Sequence, residues 1–353
     1  SANPPTRSET LEYWSTLTTY LQSFESVLEK LKPIAESVAR RNSVVVMVCN
    51  HGQSELLMNF VCNAKAKGLD LSAILVFATD EETKELCDGL GIASFYDETN
   101  FGRMPKAAAG AYADKNFMAM MGAKVYCVQM VAMLGYDVLF QDVDMVWYKD
   151  PLEWFHDETN PDRHFDIYFQ DDGNHALFYA PYSANTGFYY VRHNDRTQYF
   201  FNSLLLAGDL IISTHSHQIA LIALLNEHAS MYNLQVKIFE RNTEEFPGGF
   251  TFHRKRDFMK AMVQGSVHPY IFHMSWTHNK KNKKLFFQQL GEWYLDDKCV
   301  GSTADKIGAT GHEALLAPCC LAEPKILCHY RDKPSKIPCT DSPPIDANGK
   351  SFW

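Results

Sequence analysis

A chain of 353 residues, 46% hydrophobic and 13% aromatic, holds enough apolar surface for one large core or two merged subdomains, which excludes disorder for most of its length. Its net charge of -9 argues against nucleic acid as a partner, because a duplex binder needs a basic stripe and the local basic run is only Lys280, Lys281, Lys283 and Lys284. No stretch reaches the roughly eighteen uncharged apolar residues of a membrane span; the nearest, 117–140, is interrupted by Lys124 and Asp137.

The chain begins Ser-Ala-Asn-Pro-Pro without Met, so it is expected to be a truncated or processed form with room for a signal peptide or membrane anchor upstream. Over 8–40, Leu11, Trp14, Leu17, Leu21, Phe24, Leu28 and Leu31 recur at helical spacing. This segment, 1–41, reads as a helix integral to the domain or as a stem leading from an anchor. Ser43–Cys49 is a continuous apolar run, as in a strand buried on both faces. Asn50-His51-Gly52-Gln53 ends it, and a helix follows over 55–67. A strand at 73–78, a helix at 81–90, a short strand at 92–96, a helix at 116–134 and a strand at 138–141 complete an alternation that builds an α/β sheet. In such sheets ligands sit at the carboxyl ends of the strands.

Beyond Pro151 the pattern changes. Strands are expected at 167–170 and 187–191, helices at 197–206 and 218–228, a loop-rich stretch at 236–258, a strand at 268–273 and a helix near 284–294. The expected division is one domain over 42–298, with a nucleotide-binding half (42–150) and an acceptor and sugar half (151–298), followed by an extension over 299–353. Five of the nine cysteines, Cys299, Cys319, Cys320, Cys328 and Cys339, crowd that extension among prolines and turn residues. This predicts disulfides in place of a zinc site, since no CxxC occurs, and with them a secretory-pathway lumen. Cys49, Cys62, Cys87 and Cys127 are expected as buried free thiols.

Phe140-Gln-Asp142-Val143-Asp144-Met-Val-Trp147 carries the chemistry. Two carboxylates two apart after an apolar strand point to the same side of extended backbone, where both can meet one hard divalent cation. Such a cation bridges the phosphates of a nucleoside diphosphate and offsets the charge that develops as that group leaves. The ordinary alternative is a pair of solvated strand-end aspartates. His273, closing the run Tyr270-Ile-Phe-His273, reads alone as readily as a core or capping histidine.

Gly135-Tyr-Asp-Val-Leu-Phe-Gln-Asp142-Val-Asp144-Met-Val-Trp-Tyr-Lys-Asp-Pro151 resembles the signature of the nucleotide-diphospho-sugar transferases of glycosyltransferase family 77, whose relatives in family 8 share the architecture. Asn185-Thr-Gly187-Phe-Tyr-Tyr-Val191 and His273-Met-Ser-Trp276 with the lysines after it extend the match across about 43–295, in order. The resemblance implies a GT-A-type, Rossmann-like mixed sheet flanked by helices, a manganese or magnesium ion, a UDP-sugar donor and transfer with retention. The sugar would be of the galactose or pentose class and the acceptor a glycan or glycoprotein hydroxyl, in the Golgi lumen, with an anchor outside this chain. It further implies that Asp142, Asp144 and His273 ligate the metal and that Val143 lies against the donor. Asn50 and His51 would sit beside uracil and ribose, Lys124 would face the diphosphate or sugar, and Lys280 or Lys283 would hold the diphosphate. Asn185 and Gly187 would shape the sugar pocket, and Asp171 or Asp172 would bind the donor sugar. Family 8 relatives often carry Asp-Gln near the reacting carbon, where this chain has His217-Gln218. A carboxylate nucleophile is therefore missing there, and Gln218 is left to steady an oxocarbenium-like transition state, favouring same-face return over a covalent intermediate.

Two other readings use the same residues. Asp142-Val-Asp144-Met-Val fits the opening phrase of haloacid-dehalogenase-like phosphohydrolases, although Gly208-Asp209-Leu-Ile-Ile-Ser213 lacks the closing acid of their second motif. A catalytically inactive sugar-nucleotide-binding module is the other.

Overall fold

Thr6 and Glu9 cap the first helix reciprocally: Glu9 N donates to the Thr6 hydroxyl, and Thr6 N donates to the Glu9 carboxylate. The computed structural model describes residues 2–108, 115–174, 176–241, 243–277, 279–309, 313–340 and 343–352, with the side chains of 115–118 left aside. Helix α1 (Arg7–Val38) buries Tyr20, Val27, Leu31, Ala35 and Val38, while Leu11, Trp14 and Leu21 are exposed.

Strand β1 (Ser43–Cys49) is buried along its whole length: Val45, Met47 and Cys49 enter one core, and Val44, Val46 and Val48 the core on the opposite face. That two-sided burial is why its sequence runs apolar without alternation. The chain continues through α2 (Ser54–Ala66), β2 (Ile74–Ala78), α3 (Glu81–Gly89), β3 (Ala93–Phe95), α4 (Glu98–Phe101), α5 (Lys115–Met133), β4 (Asp137–Gln141) and β5 (Met145–Trp147). After it come α6 (Pro151–His156), β6 (Ile167–Asp171), β7 (Ala184–Val191), α7 (Asp195–Leu206), α8 (Gly208–Thr214), α9 (His217–Tyr232) and β8 (Val236–Ile238). The chain closes with α10 (Gly249–Arg254), α11 (Arg256–Val263), β9 (Ile271–His273), α12 (Lys280–Leu290), α13 (Ala304–Ile307) and α14 (Leu316–Cys319).

A seven-stranded sheet runs β3-β2-β1-β4-β7-β6-β8, and β5 pairs with β9 in a small second sheet. Strands β3, β2, β1 and β4 are parallel; β7 is antiparallel to both β4 and β6. This is an α/β sheet, as the alternation predicts, and a mixed one flanked by helices, as the resemblance implies. Direction changes at the β4–β7 seam, and on the other side of β7 the pairing with β6 is irregular. The β6–β7 register jumps from Phe169↔Tyr189 to Gln170↔Asn185, so 186–188 of β7 have no partner on β6. Bulges of this kind re-aim side chains beside active sites.

Three elements differ from expectation. The stretch 236–258 is not mostly loop: it holds edge strand β8, all of α10 and the start of α11. The Asp-x-Asp pair lies on a bend between β4 and β5 and not along one strand, because the chain leaves the large sheet there to join β9. Cys62 is not a free thiol. It pairs with Cys320, so the extension is stapled to α2 as well as internally through Cys299–Cys319 and Cys328–Cys339. Cys49, Cys87 and Cys127 are buried and free, as expected. No helix among the described residues is long and apolar enough to cross a membrane.

Candidate active site

Two strand pairings assemble the centre. Asp142 N donates to Gly187 O at 2.8 Å, carrying the β4–β7 ladder one residue past the strand. Met145 pairs with His273 in β5–β9, and Met274 N donates to Asp144 O at 3.1 Å. Ligand atoms of Asp142, Asp144 and His273 consequently lie within 4.8 Å of one another, with His273 Nε2 3.7 Å from Asp144 Oδ1. Gly187 forms the floor. A Cβ there would sit 2.6 Å from His273 Cε1 and 2.8 Å from Asp142 Oδ2, so any side chain would fill the space between the ligands. The resemblance gave Gly187 to the sugar pocket, and the geometry sets it against the ligand trio.

Two ammonium groups balance the two carboxylates: Lys124 of α5 pairs with Asp142, and Lys283 of α12 with Asp144. Burial opposes ionisation of Asp144, yet Lys283, His273 and Lys124 outweigh it and hold the carboxyl well below the usual range. Burial also pushes His273 below the ordinary imidazole value, against the pull of Asp144 and Asp142. Its Nδ1 lies 2.7 Å from Gln170 Oε1. Two carboxylates and an imidazole around an open floor are a donor set that fits a divalent cation with oxygen and nitrogen ligands. Asp142, whose side chain is 26% exposed, opens the cluster to solvent. Val143 turns its side chain into the core, leaving only its backbone to meet a ligand.

A second polar cluster adjoins the first. Asp172 Oδ1 accepts from Asn185 Nδ2 at 2.9 Å and from Gln218 Nε2 at 3.2 Å. Gln218 Oε1 accepts from Thr186 N, its Nε2 also reaches the Tyr179 hydroxyl, and Asn185 Oδ1 accepts from Gly187 N at 2.8 Å. Asn185 thereby links both clusters. Burial raises the Asp172 carboxyl, against the hydrogen bonds from Asn185 and Gln218. Asp171 points elsewhere and pairs with Arg241. Of the two aspartates the sequence leaves open, Asp172 is the one that meets Gln218. His217 lies buried with Nδ1 2.7 Å from Met121 Sδ, and burial holds it well below its ordinary value.

The remaining candidates gather at the end of β1. Asn50 Nδ2 donates to Pro105 O and Ala107 O, and its Oδ1 accepts from Gln53 N, so its side chain shapes the loop. His51 N donates to Asp80. Lys280 binds Glu55 at 2.9 Å and Gly52 O at 2.8 Å. Helix α12 therefore sends Lys280 to this loop and Lys283 to the ligand trio, two separate positions that the sequence run does not distinguish.

Sequence reasoning misses Gln170 and Thr186, and it reads Tyr179 as core packing or a sugar-stacking platform and not as a partner of Gln218. A signal for the first exists: Phe169-Gln-Asp171 repeats the strand ending Phe140-Gln-Asp142. Both glutamines are fully buried, Gln141 accepting from Trp147 Nε1 at 2.7 Å.

A mixed α/β sheet with an acidic, histidine-bearing cluster at the ends of its strands is the arrangement in which α/β proteins place their ligands. Residues 70–287 match the profile of the nucleotide-diphospho-sugar transferases, and the chain belongs to that family. The phosphohydrolase reading of Asp142 and Asp144 is thereby replaced. The chain is 22% identical over 298 residues to a UDP-galactose:fucoside alpha-3-galactosyltransferase of Dictyostelium discoideum, covering 73% of this chain and 44% of that one. It is 30% identical over 176 residues to the beta-arabinofuranosyltransferase RAY1 of Arabidopsis thaliana, covering 48% and 30%. With a UDP-D-xylose:L-fucose alpha-1,3-D-xylosyltransferase of the same plant it shares 24% over 225 residues, covering 57% and 54%. The chain thus spans about half or less of the length of these curated relatives.

Proposed function

We infer that this chain is a metal-dependent, retaining glycosyltransferase that moves a sugar of the galactose or pentose class from a UDP-sugar to a hydroxyl of a glycan or glycoprotein. The observation that carries the reading is the convergence of Asp142, Asp144 and His273 over the bare floor of Gly187. A bound manganese or magnesium ion supplies Lewis-acid neutralisation of the diphosphate. The chain's own residues do the rest. Asp142, Asp144 and His273 hold the ion, and Lys124 and Lys283, already aimed into the cleft, lend positive charge where the leaving diphosphate gathers negative charge. Asn50, His51 and Lys280 form the nucleoside end. Asp172 and Asn185 orient the sugar hydroxyls, and Gln218, held by Thr186 and Asp172, presents its amide to the reacting face.

With His217 in place of a carboxylate, same-face return is the favoured course. The galactosyl, arabinosyl and xylosyl relatives support the sugar class, and two of the three are named for fucose acceptors, which supports a sugar hydroxyl as acceptor. Three disulfides support a secretory-pathway lumen, in keeping with the Golgi. Measuring UDP release from UDP-galactose, UDP-xylose, UDP-arabinose and UDP-glucose, with and without Mn²⁺, tests the proposal. Turnover of one donor that vanishes on chelation is expected; turnover indifferent to the metal overturns the metal assignment, and none with any donor overturns the enzyme.

A further inference from the structure

We propose that Gln170 is a positioning residue that locks His273 in the tautomer and orientation a metal ligand needs, with the Pro247–Gly248 turn as the clamp on Gln170. The proposal rests on the metal reading above and adds a residue outside the ligand trio. Gln170 is fully buried near the end of β6, at the register shift in the β6–β7 pairing.

Its amide is oriented by elimination. The neighbour at 2.6 Å on one side is the carbonyl of Pro247, which can only accept, so the NH₂ end of Gln170 faces it. The Oε1 end must then face His273 Nδ1, 2.7 Å away, and a carbonyl oxygen compels that nitrogen to be the N–H donor. With the single ring proton of a metal-binding imidazole held on Nδ1, the lone pair is left on Nε2, the atom that faces Asp144 Oδ1. Metal-bound histidines are commonly fixed in this way, by a partner on the other ring nitrogen.

The clamp has its own steric requirement. Gly248 packs so tightly on β6 that a Cβ there would sit 1.9 Å from Asp171 O. Only glycine lets the turn approach closely enough for the Pro247 carbonyl to meet a side chain buried inside the sheet.

The test measures Mn²⁺ affinity by the electron paramagnetic resonance of the free ion, and the His273 ring tautomer in metal-free protein by ¹⁵N NMR, the signal assigned through its loss in His273→Gln. The wild type is expected to carry its proton on Nδ1. Gln170→Leu, which removes the acceptor, is expected to weaken Mn²⁺ binding about 10- to 100-fold with the fold intact by circular dichroism. Gln170→Glu keeps an acceptor on Nδ1 and is expected to stay within a few-fold of wild type. A folded Gln170→Leu that binds as tightly as wild type, a Gln170→Glu that loses as much as Gln170→Leu, or a wild-type ring protonated on Nε2 each overturn the proposal. Should Gln170→Leu fail to fold, Gln170→Glu and the wild-type tautomer decide. Wild-type protein that binds no Mn²⁺ refutes the metal reading instead, and the tautomer measurement still judges Gln170.

Discussion

The ligand cluster and the C-terminal extension both join residues distant in sequence, by opposite means. In the cluster, backbone pairing of β4 with β7 and of β5 with β9 brings Asp142, Gly187 and His273 together, and two lysines balance the carboxylates. In the extension, Cys62–Cys320, Cys299–Cys319 and Cys328–Cys339 do the joining, and the small core around Ile326 contains little besides the last of these bridges. A region lined by balanced charges responds to ions and protons, and a region held by sulfur responds to redox. The first suits the binding of a charged donor proposed above; the second suits a brace.

The sharpest separation comes from Asp144→Asn, which should lower metal-dependent UDP release by about 10³-fold while leaving the melting temperature within a few degrees. Normal turnover in that variant would falsify the assignment of Asp144. Replacing Cys62 and Cys320 together by serine should cost about 2–5 kcal/mol of stability in denaturant titration, yet leave Mn²⁺ affinity unchanged. A matching loss of affinity would show that the brace also shapes the site.

Acid should act on the charged region. Burial depresses His217 well below, and His253 to about 4 from, the ordinary histidine value of 6.5. The unfolded chain therefore binds more protons below that value, and stability present above it is lost as pH falls toward the folded values, each tenfold loss of proton affinity on folding being worth about 1.4 kcal/mol. The lowered Asp144 and Asp166 act in the same direction at more acid pH, while the raised Asp172 acts oppositely. Melting curves from about pH 7.5 to about pH 5 should fall steadily; a flat profile would contradict the burial of these rings. The smallest effect expected is for Gly187→Ala, about tenfold in Mn²⁺ affinity by calorimetry, from a methyl group forced between Asp142 and His273.

The sequence is most legible where burial is two-sided. Ser43–Cys49 and Ile74–Ala78 read directly as strands because each faces two cores. The three-residue strand Met145–Trp147 leaves no periodicity to detect, so although a strand is expected over 268–273, its pairing with Met145–Trp147 in a second sheet is invisible until the chain is folded. The same holds for Cys62–Cys320, whose partners are 258 residues apart. Asp142 and Asp144 stand out by spacing, whereas His273 and Gly187 gain their roles only from family resemblance and from strand register. Asp171 and Asp172 are equivalent as letters, and only the end of β6 decides which one meets Gln218.

The measurement closest to the central claim is the anomalous scattering of manganese in crystals grown with Mn²⁺ and UDP. One peak is predicted, bounded by Asp142, Asp144 and Nε2 of His273. A peak elsewhere, with both aspartates still paired to Lys124 and Lys283, would contradict the assignment.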